Sequence, residues 1–156
     1  MDSTIINGAP SQSTTNNGSC LVIRDNNTQP IIKGLTFQDG VGTSISEIVC
    51  DVKQQKRSGG AILIYKAYPT IMFNRFIDNG LFENTQDDIL AYVTEGGAIS
   101  HYDDAEVEFD EDRTRNINNN RTNRIRTVPT TMNIQNNYFE NNGSGNGENF
   151  YSNGFV

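Results

Sequence analysis

A short repeat constrains this chain more than any other feature of its sequence. Three segments, 30–40, 70–80 and 133–143, share one template. In each, an isoleucine is followed five residues later by a phenylalanine, and two residues after that by aspartate or asparagine. A repeat of this kind must be identified before helices and strands are assigned, because it decides the whole architecture.

A second element recurs upstream of the first. Gly59-Gly60-Ala61-Ile62 returns as Gly96-Gly97-Ala98-Ile99, and Ser19-Cys20-Leu21-Val22-Ile23 stands in the equivalent place of the first copy. One full unit, from the upstream element to the end of the template, is about 22 residues long. This length is too short for a pair of helices and is typical of one coil of a β-solenoid.

In a solenoid each strand pairs in parallel with the same strand of the next coil, so equivalent residues stack about 4.8 Å apart. The repeat therefore predicts one internal stack of isoleucines and one of phenylalanines: Ile32, Ile71, Ile134; Phe37, Phe76, Phe139. Asn74 and Asn137 are expected to stack at a bend, and Leu35 interrupts that ladder in the first copy. Polar residues at the next corner precede glycines, from which we expect the positive φ that a tight corner requires: Asp39, Asp78, Asn141.

These motifs resemble a known family. The alternation of the Gly-Gly-Ala-Ile elements with Phe76-Ile77-Asp78-Asn79 and Phe139-Glu140-Asn141-Asn142 resembles the repeats of polymorphic outer-membrane, autotransporter-type passenger proteins. It is similar more broadly to right-handed parallel β-helix regions of the pectin-lyase-like superfamily in secreted bacterial proteins. The resemblance spans 19–143 with two large interruptions, and the first copy departs from it with Phe37-Gln38-Asp39-Gly40. It implies a right-handed coil, an extracellular or cell-surface location, and roles from adhesion to polysaccharide cleavage.

The fold expected from these observations is an all-β, right-handed parallel β-helix in a single domain, 1–156. It has about three full coils, partial coils at both ends, and three loop insertions at about 41–58, 81–95 and 102–130. Since neither end of the sequence offers a polar cap, we expect the chain to be a segment of a longer protein or to associate end to end.

Composition excludes several classes of partner. The formal net charge of −7 disfavours nucleic acid and anionic membrane surfaces, and no apolar run is long enough to span a bilayer. The first residues lack the cationic and apolar regions of a secretory signal peptide. Cys20 and Cys50 have no metal-like spacing, so two thiols or one disulfide both remain open.

The third insertion carries the densest charge. Seven acidic residues occur within 103–112, and five arginines follow by position 126. One interpretation is a flap in which a strand at 106–109, where acidic and apolar residues alternate, turns at 118–120 and pairs with the arginine-rich return. A second is a Ca²⁺ site, because clustered carboxylates supply the hard oxygen ligands that this ion prefers, and a third is catalysis in this segment. The expected Ca²⁺ ligands are Asp103, Asp104, Asp110 and Asp112; otherwise no cofactor is expected.

Two further groups of residues are candidates for function. If the protein is an enzyme, His101, Asp103 and Asp104 are the expected catalytic residues, with the imidazole at an outward strand position as acid or base. Tyr65 and Tyr102 occupy the same offset after the two Gly-Gly-Ala-Ile elements, so they are expected one coil apart on one face. There they would contact a sugar ring, although tyrosine is also common on strands for its propensity alone.

Three hypotheses of function follow, from different classes. The first is a non-enzymatic surface or secreted module, adhesin-like or carbohydrate-contacting, whose partner is a polysaccharide or a surface protein. The second is a polysaccharide lyase or glycoside hydrolase of the parallel β-helix type. The third is a structural, self-assembling unit. Architecture alone does not choose among them.

Overall fold

The computed structural model describes residues 4–8, 18–24, 28–49, 51–84, 89–103, 107–109, 131–147 and 149–153. Within these residues the chain forms seventeen strands and no helix. The strands are β1 (Thr4–Asn7), β2 (Leu21–Arg24), β3 (Ile31–Lys33), β4 (Leu35–Gln38), β5 (Thr43–Val49), β6 (Val52–Ser58), β7 (Ile62–Tyr65), β8 (Thr70–Met72), β9 (Arg75–Ile77), β10 (Leu81–Asn84), β11 (Ile89–Glu95), β12 (Ile99–Tyr102), β13 (Val107–Phe109), β14 (Asn133–Gln135), β15 (Tyr138–Glu140), β16 (Ser144–Asn146) and β17 (Phe150–Asn153).

Three parallel sheets are built from strands that recur in the same order along the chain. Sheet A has the order β1-β4-β9-β15, sheet B the order β17-β12-β7-β2, and sheet C the order β14-β8-β3. The first coil is β2, β3 and β4, the second β7, β8 and β9, and the third β12, β14 and β15. The expected all-β class is confirmed, and this arrangement is compatible with a β-solenoid.

The stacks expected from the repeat are present in register. Ile32 pairs with Ile71 and Ile71 with Ile134, while the three template phenylalanines pair in the same way. The Phe76 ring stacks on those of Phe37 and Phe139, with centroids 5.2 and 5.0 Å apart. Fully burying one such side chain contributes about 2 to 3 kcal/mol, so this column is a main source of stability.

Two asparagine ladders satisfy the backbone at the corners. The Asn137 side-chain oxygen accepts the backbone N–H of Asn74 at 2.9 Å, and the Asn74 oxygen accepts that of Leu35 at 3.0 Å. The second ladder repeats this pattern, from Asn142 to Asn79 at 3.1 Å and from Asn79 to Gly40 at 3.0 Å. Both ladders end at the first coil, where the repeat has no asparagine; for the first ladder this was expected from Leu35.

At this corner the polar residue has positive φ in all three coils, and the expected positive φ of the following glycine is confirmed only at Gly80, with φ of 81°. Asp39, Asp78 and Asn141 have φ of 57°, 54° and 52°. The expectation that the following glycine provides it is therefore wrong at Gly40, where the reason for glycine is space. A Cβ there would lie 2.1 Å from the carbonyl oxygen of Gly60.

The first two insertions are hairpins, so the expectation of loops is wrong for them. β5 and β6 pair antiparallel, as do β10 and β11, and the two hairpins join with β13 into a second layer in the order β10-β11-β6-β5-β13. The prediction of a strand around 106–109 is confirmed by β13, which pairs with β5. Backbone pairing within the two hairpins makes these segments regular strands, although their irregular hydrophobic pattern did not predict strands.

This second layer covers the outer face of sheet B. Ile45 of the first hairpin packs with Leu63 and Tyr102, and all three are fully buried. The opposite face of sheet B points into the coil, where Ile62 and Ile99 belong to the main core. The described part of the chain contains no helix with the length and apolarity that a membrane crossing requires.

Candidate functional site

His101 lies inside the coil. It pairs in register with Ile64 on one side and Ser152 on the other, and its side chain is fully buried. The expectation of an outward imidazole is wrong, because side chains alternate along a strand and His101 therefore shares the inner face with Ile99.

The imidazole has one polar partner and one bare nitrogen. Its Nδ1 lies 3.1 Å from the Ser152 hydroxyl, whereas Nε2 is buried with no hydrogen-bond partner among the described residues. The Tyr68 ring meets it edge-on at 6.0 Å. Burial lowers the pKa of His101, against the smaller raising effects of the Asp103 carboxylate and the Ala67 backbone.

Asp103 has a partner of its own. It is half-buried, and its Oδ1 accepts a hydrogen bond of 2.5 Å from the Tyr68 hydroxyl. Asp104 lies outside the described residues. Of the expected catalytic residues, only His101 and Asp103 are described. The imidazole of His101 is fully buried and presents no surface to a dissolved substrate.

We expect the pH dependence of stability to reveal the buried imidazole. Because the pKa of His101 in the folded protein is lowered from 6.5, its contribution is complete above that pH and is lost as the pH falls. One proton corresponds to a slope of at most about 1.4 kcal/mol per pH unit. Urea unfolding between pH 7.5 and 5 measures this slope.

The matched variant is His101→Ile, since isoleucine occupies the equivalent position of the second coil at Ile64. It removes the titrating group from the core, so its stability should change less between pH 6.5 and 5 than that of the unaltered protein. An unchanged slope in the variant would show that His101 does not titrate in this range.

Tyr65 and Tyr102 are one coil apart on the same face of sheet B, as predicted. That face is covered by the hairpin layer, however, and Tyr102 is fully buried while Tyr65 is half-buried. The expectation of an exposed aromatic pair is therefore wrong at Tyr102. The Lys66 ammonium lies 4.9 Å from the centre of the Tyr65 ring.

Two other aromatic rings are at the surface. Phe73, after β8, is 52% exposed, and Tyr138, in β15, is 51% exposed. Each ring carries a cation from the preceding coil: Lys33 Nζ lies 5.3 Å from the Phe73 centroid, and the Arg75 guanidinium lies 5.4 Å from that of Tyr138. Attraction to the ring quadrupole holds these cations in place.

Phe73 has an unusual backbone conformation. Its φ is +55°, a region that costs an ordinary side chain about 1 to 2 kcal/mol. At the same corner of the neighbouring coils stand Gly34, with φ of 72°, and Asn136, with φ of 55°, both of which tolerate the region well. The repeat alignment of these three positions is the sequence signal that could have identified Phe73.

Of the four expected Ca²⁺ ligands, only Asp103 belongs to the described residues. Asp104, Asp110 and Asp112 lie outside the described residues, and the described ones contain no group of three or more histidine, cysteine, aspartate or glutamate side chains placed to hold a metal. The Ca²⁺ site stays a prediction about the undescribed part of 104–130. Cys50 is likewise undescribed, and burial raises the pKa of the Cys20 thiol to about 11.

A buried polar network joins the hairpins to sheet B. The Lys56 ammonium lies 2.6 Å from Glu95 Oε2, and the Tyr102 hydroxyl donates to the same oxygen. Ser58 Oγ lies 2.5 Å from the Tyr102 oxygen, and Ser100 Oγ donates to the Glu95 carbonyl at 2.8 Å. Burial, then the bond to Glu95, raises the pKa of Tyr102, so its hydroxyl remains a donor.

Comparisons of the chain with protein-family models, with curated proteins and with solved structures found no match.

Proposed function

We propose that this protein is a non-enzymatic, carbohydrate-contacting module of a surface or secreted protein, adhesin-like in its role. The observation that carries the proposal is the pair of exposed rings on successive coils, Phe73 and Tyr138, each accompanied by a cation. Aromatic faces pack on the C–H faces of sugar rings, while Lys33 and Arg75 donate hydrogen bonds to sugar oxygens. Exposed aromatic groups of this kind are typical of interaction surfaces.

The strain at Phe73 supports a role at the surface. A glycine or asparagine there would relieve the backbone, and because half of the ring is in solvent, its partial burial at most balances the cost. Strained residues concentrate at functional sites, where the side chain is retained for what it contacts.

The coil is taken to be right-handed, in line with the strong preference of parallel crossover connections.

A non-enzymatic role is supported by the position of His101. Its imidazole is fully buried, and its lowered pKa keeps it neutral at pH 7. General acid or base catalysis requires contact with the substrate or with one intervening water. The buried ring has neither an exposed edge nor a described acidic partner in hydrogen-bond contact.

The proposal predicts that glycan binding depends on the two exposed rings. Phe73→Asn introduces the residue found at the equivalent position of the third coil, Asn136. Tyr138→Thr introduces the residue found at the equivalent position of the first coil, Thr36, so both substitutions fit the fold. A glycan array followed by calorimetry should show binding weakened about tenfold or more in each, corresponding to at least about 1.4 kcal/mol. Phe73→Asn should at the same time change the free energy of unfolding by less than about 1 kcal/mol, because relief of the backbone balances the lost half-burial of the ring.

Val52→Thr is the control, because Val52 is 58% exposed at the turn of the first hairpin and belongs to a different sheet from β8 and β15. Its binding should equal that of the unaltered protein. Binding that survives both aromatic substitutions would overturn the proposed surface. Release of new reducing ends or unsaturated sugars would establish turnover and favour the lyase or hydrolase, whereas concentration-dependent sedimentation without glycan binding would favour self-assembly.

A further inference from the structure

The Lys56 ammonium sits in a compact cage of one carboxylate and two aromatic rings. Besides the Glu95 oxygen at 2.6 Å, it lies 4.9 Å from the centre of the Tyr102 ring and 5.9 Å from that of Tyr151. The side chains of Lys56 and Glu95 are 7% and 10% exposed. In this dry setting, both the ion pair and the cation–π contacts are stronger than at an open surface.

The walls of the cage and its occupant come from different parts of the fold. Glu95 ends β11, Tyr102 ends β12 and Tyr151 lies in β17, whereas Lys56 is supplied by β6 of the first hairpin. The Tyr102 hydroxyl bonds the Glu95 carboxylate directly, and the Tyr102 and Tyr151 rings lie 5.9 Å apart. The carboxylate and the rings are therefore held by one another as well as by the lysine.

We propose that Glu95, Tyr102 and Tyr151 form a binding site for a primary ammonium group. The chain's own Lys56 fills this site, and a small primary alkylammonium ion takes its place when the lysine side chain is absent. This inference is independent of the proposed function. The ammonium site lies on the outer face of sheet B, beneath the hairpin layer, and includes neither Phe73 nor Tyr138.

The contacts define the class of ligand. The short distance to Glu95 requires an N–H donor, because a charge-assisted hydrogen bond is what brings nitrogen and oxygen to this separation. A quaternary ammonium has no such proton, and its methyl groups hold the nitrogen away from the carboxylate. The site should therefore prefer a primary over a quaternary ammonium, and an ammonium over a neutral alcohol of equal length.

The test is chemical rescue of Lys56→Ala. The substitution removes three methylenes and the ammonium, which n-propylammonium replaces atom for atom. With a dissociation constant of about 10 mM, 100 mM n-propylammonium chloride at pH 7 should lower the unfolding equilibrium constant about tenfold relative to equimolar NaCl. Urea unfolding followed by circular dichroism measures the change.

Four comparisons make the result specific. Neither 1-propanol nor tetramethylammonium should stabilise Lys56→Ala, and n-propylammonium should not stabilise Lys56→Met, whose thioether fills the space. The stabilisation should also be lost in Lys56→Ala/Glu95→Gln. An equal effect of 1-propanol, an equal effect on Lys56→Met, or no effect on Lys56→Ala would each overturn the proposal.

If Lys56→Ala is unfolded in NaCl alone, recovery of the native spectrum on adding n-propylammonium becomes the readout. Failure to recover it, while Lys56→Met folds under the same conditions, would count against the site in the same way.

Discussion

Gly60→Ala is expected to destabilise the protein by about 4 kcal/mol or more, or to prevent folding, because the new methyl group has nowhere to go. A Cβ on Gly60 would lie 1.8 Å from the Gly97 carbonyl oxygen and 2.5 Å from the Gly80 amide nitrogen. Both are backbone atoms fixed by the stacking of successive coils. The φ of Gly60 is not in the left-handed region, so the effect is steric. Urea unfolding and near-ultraviolet circular dichroism measure it.

Gly34→Ala is the matched control. Gly34 has φ of +72°, but a Cβ there would meet no atom within 4 Å. Its substitution should therefore cost only the left-handed conformation, about 1 to 2 kcal/mol. If Gly60→Ala costs no more than Gly34→Ala, the coils are not as closely stacked at the Gly-Gly-Ala element as the structure has them.

Lys56→Met and Glu95→Met are each expected to cost about 3 to 5 kcal/mol, because each leaves the other charge buried without its partner. The double variant, Lys56→Met/Glu95→Met, buries no charge and has similar side-chain volume. It should be more stable than either single variant, with Tyr102 retaining its contact with Ser58. A double-mutant cycle in urea gives the coupling free energy.

Lys53→Met serves as the control on the same strand, since Lys53 is exposed in β6 and surface interactions of a lysine contribute at most about 1 kcal/mol. Additive single effects, each below about 1 kcal/mol, would show that the ammonium and carboxylate are solvated rather than buried. They would also remove the ground for the ammonium site.

The repeat by itself predicted the register of the coils. The phenylalanine column, the isoleucine column and both ends of the Asn74 ladder follow from residues that recur at fixed spacing. This success has a physical cause. In parallel strands stacked 4.8 Å apart, each side chain contacts its own equivalent in the next coil, so the pattern that specifies one coil specifies the contact as well.

The sequence did not predict what the insertions do. The residues of 41–58 and 81–95 show no clean alternation, yet each segment pairs with itself as a hairpin, and pairing between the two hairpins joins them in one layer. The layer they form shields the outer face of sheet B from solvent. Tyr102, expected at the surface, is buried for this reason alone.

His101 and Phe73 show which properties can be predicted from the sequence and which depend on tertiary structure. The alternation of side chains along β12 is a local rule that places His101 inward. Whether its Nε2 finds a hydrogen-bond partner depends on atoms of the neighbouring coils, and among the described residues it finds none. The repeat alignment places Phe73 at a glycine and asparagine position, yet only the packed structure leaves its ring half exposed beside Lys33. Repeated spacing determined strand order and core, because those contacts join equivalent residues. Burial and charge at the ammonium site were decided by tertiary structure, because Lys56 and Glu95 belong to segments that do not repeat.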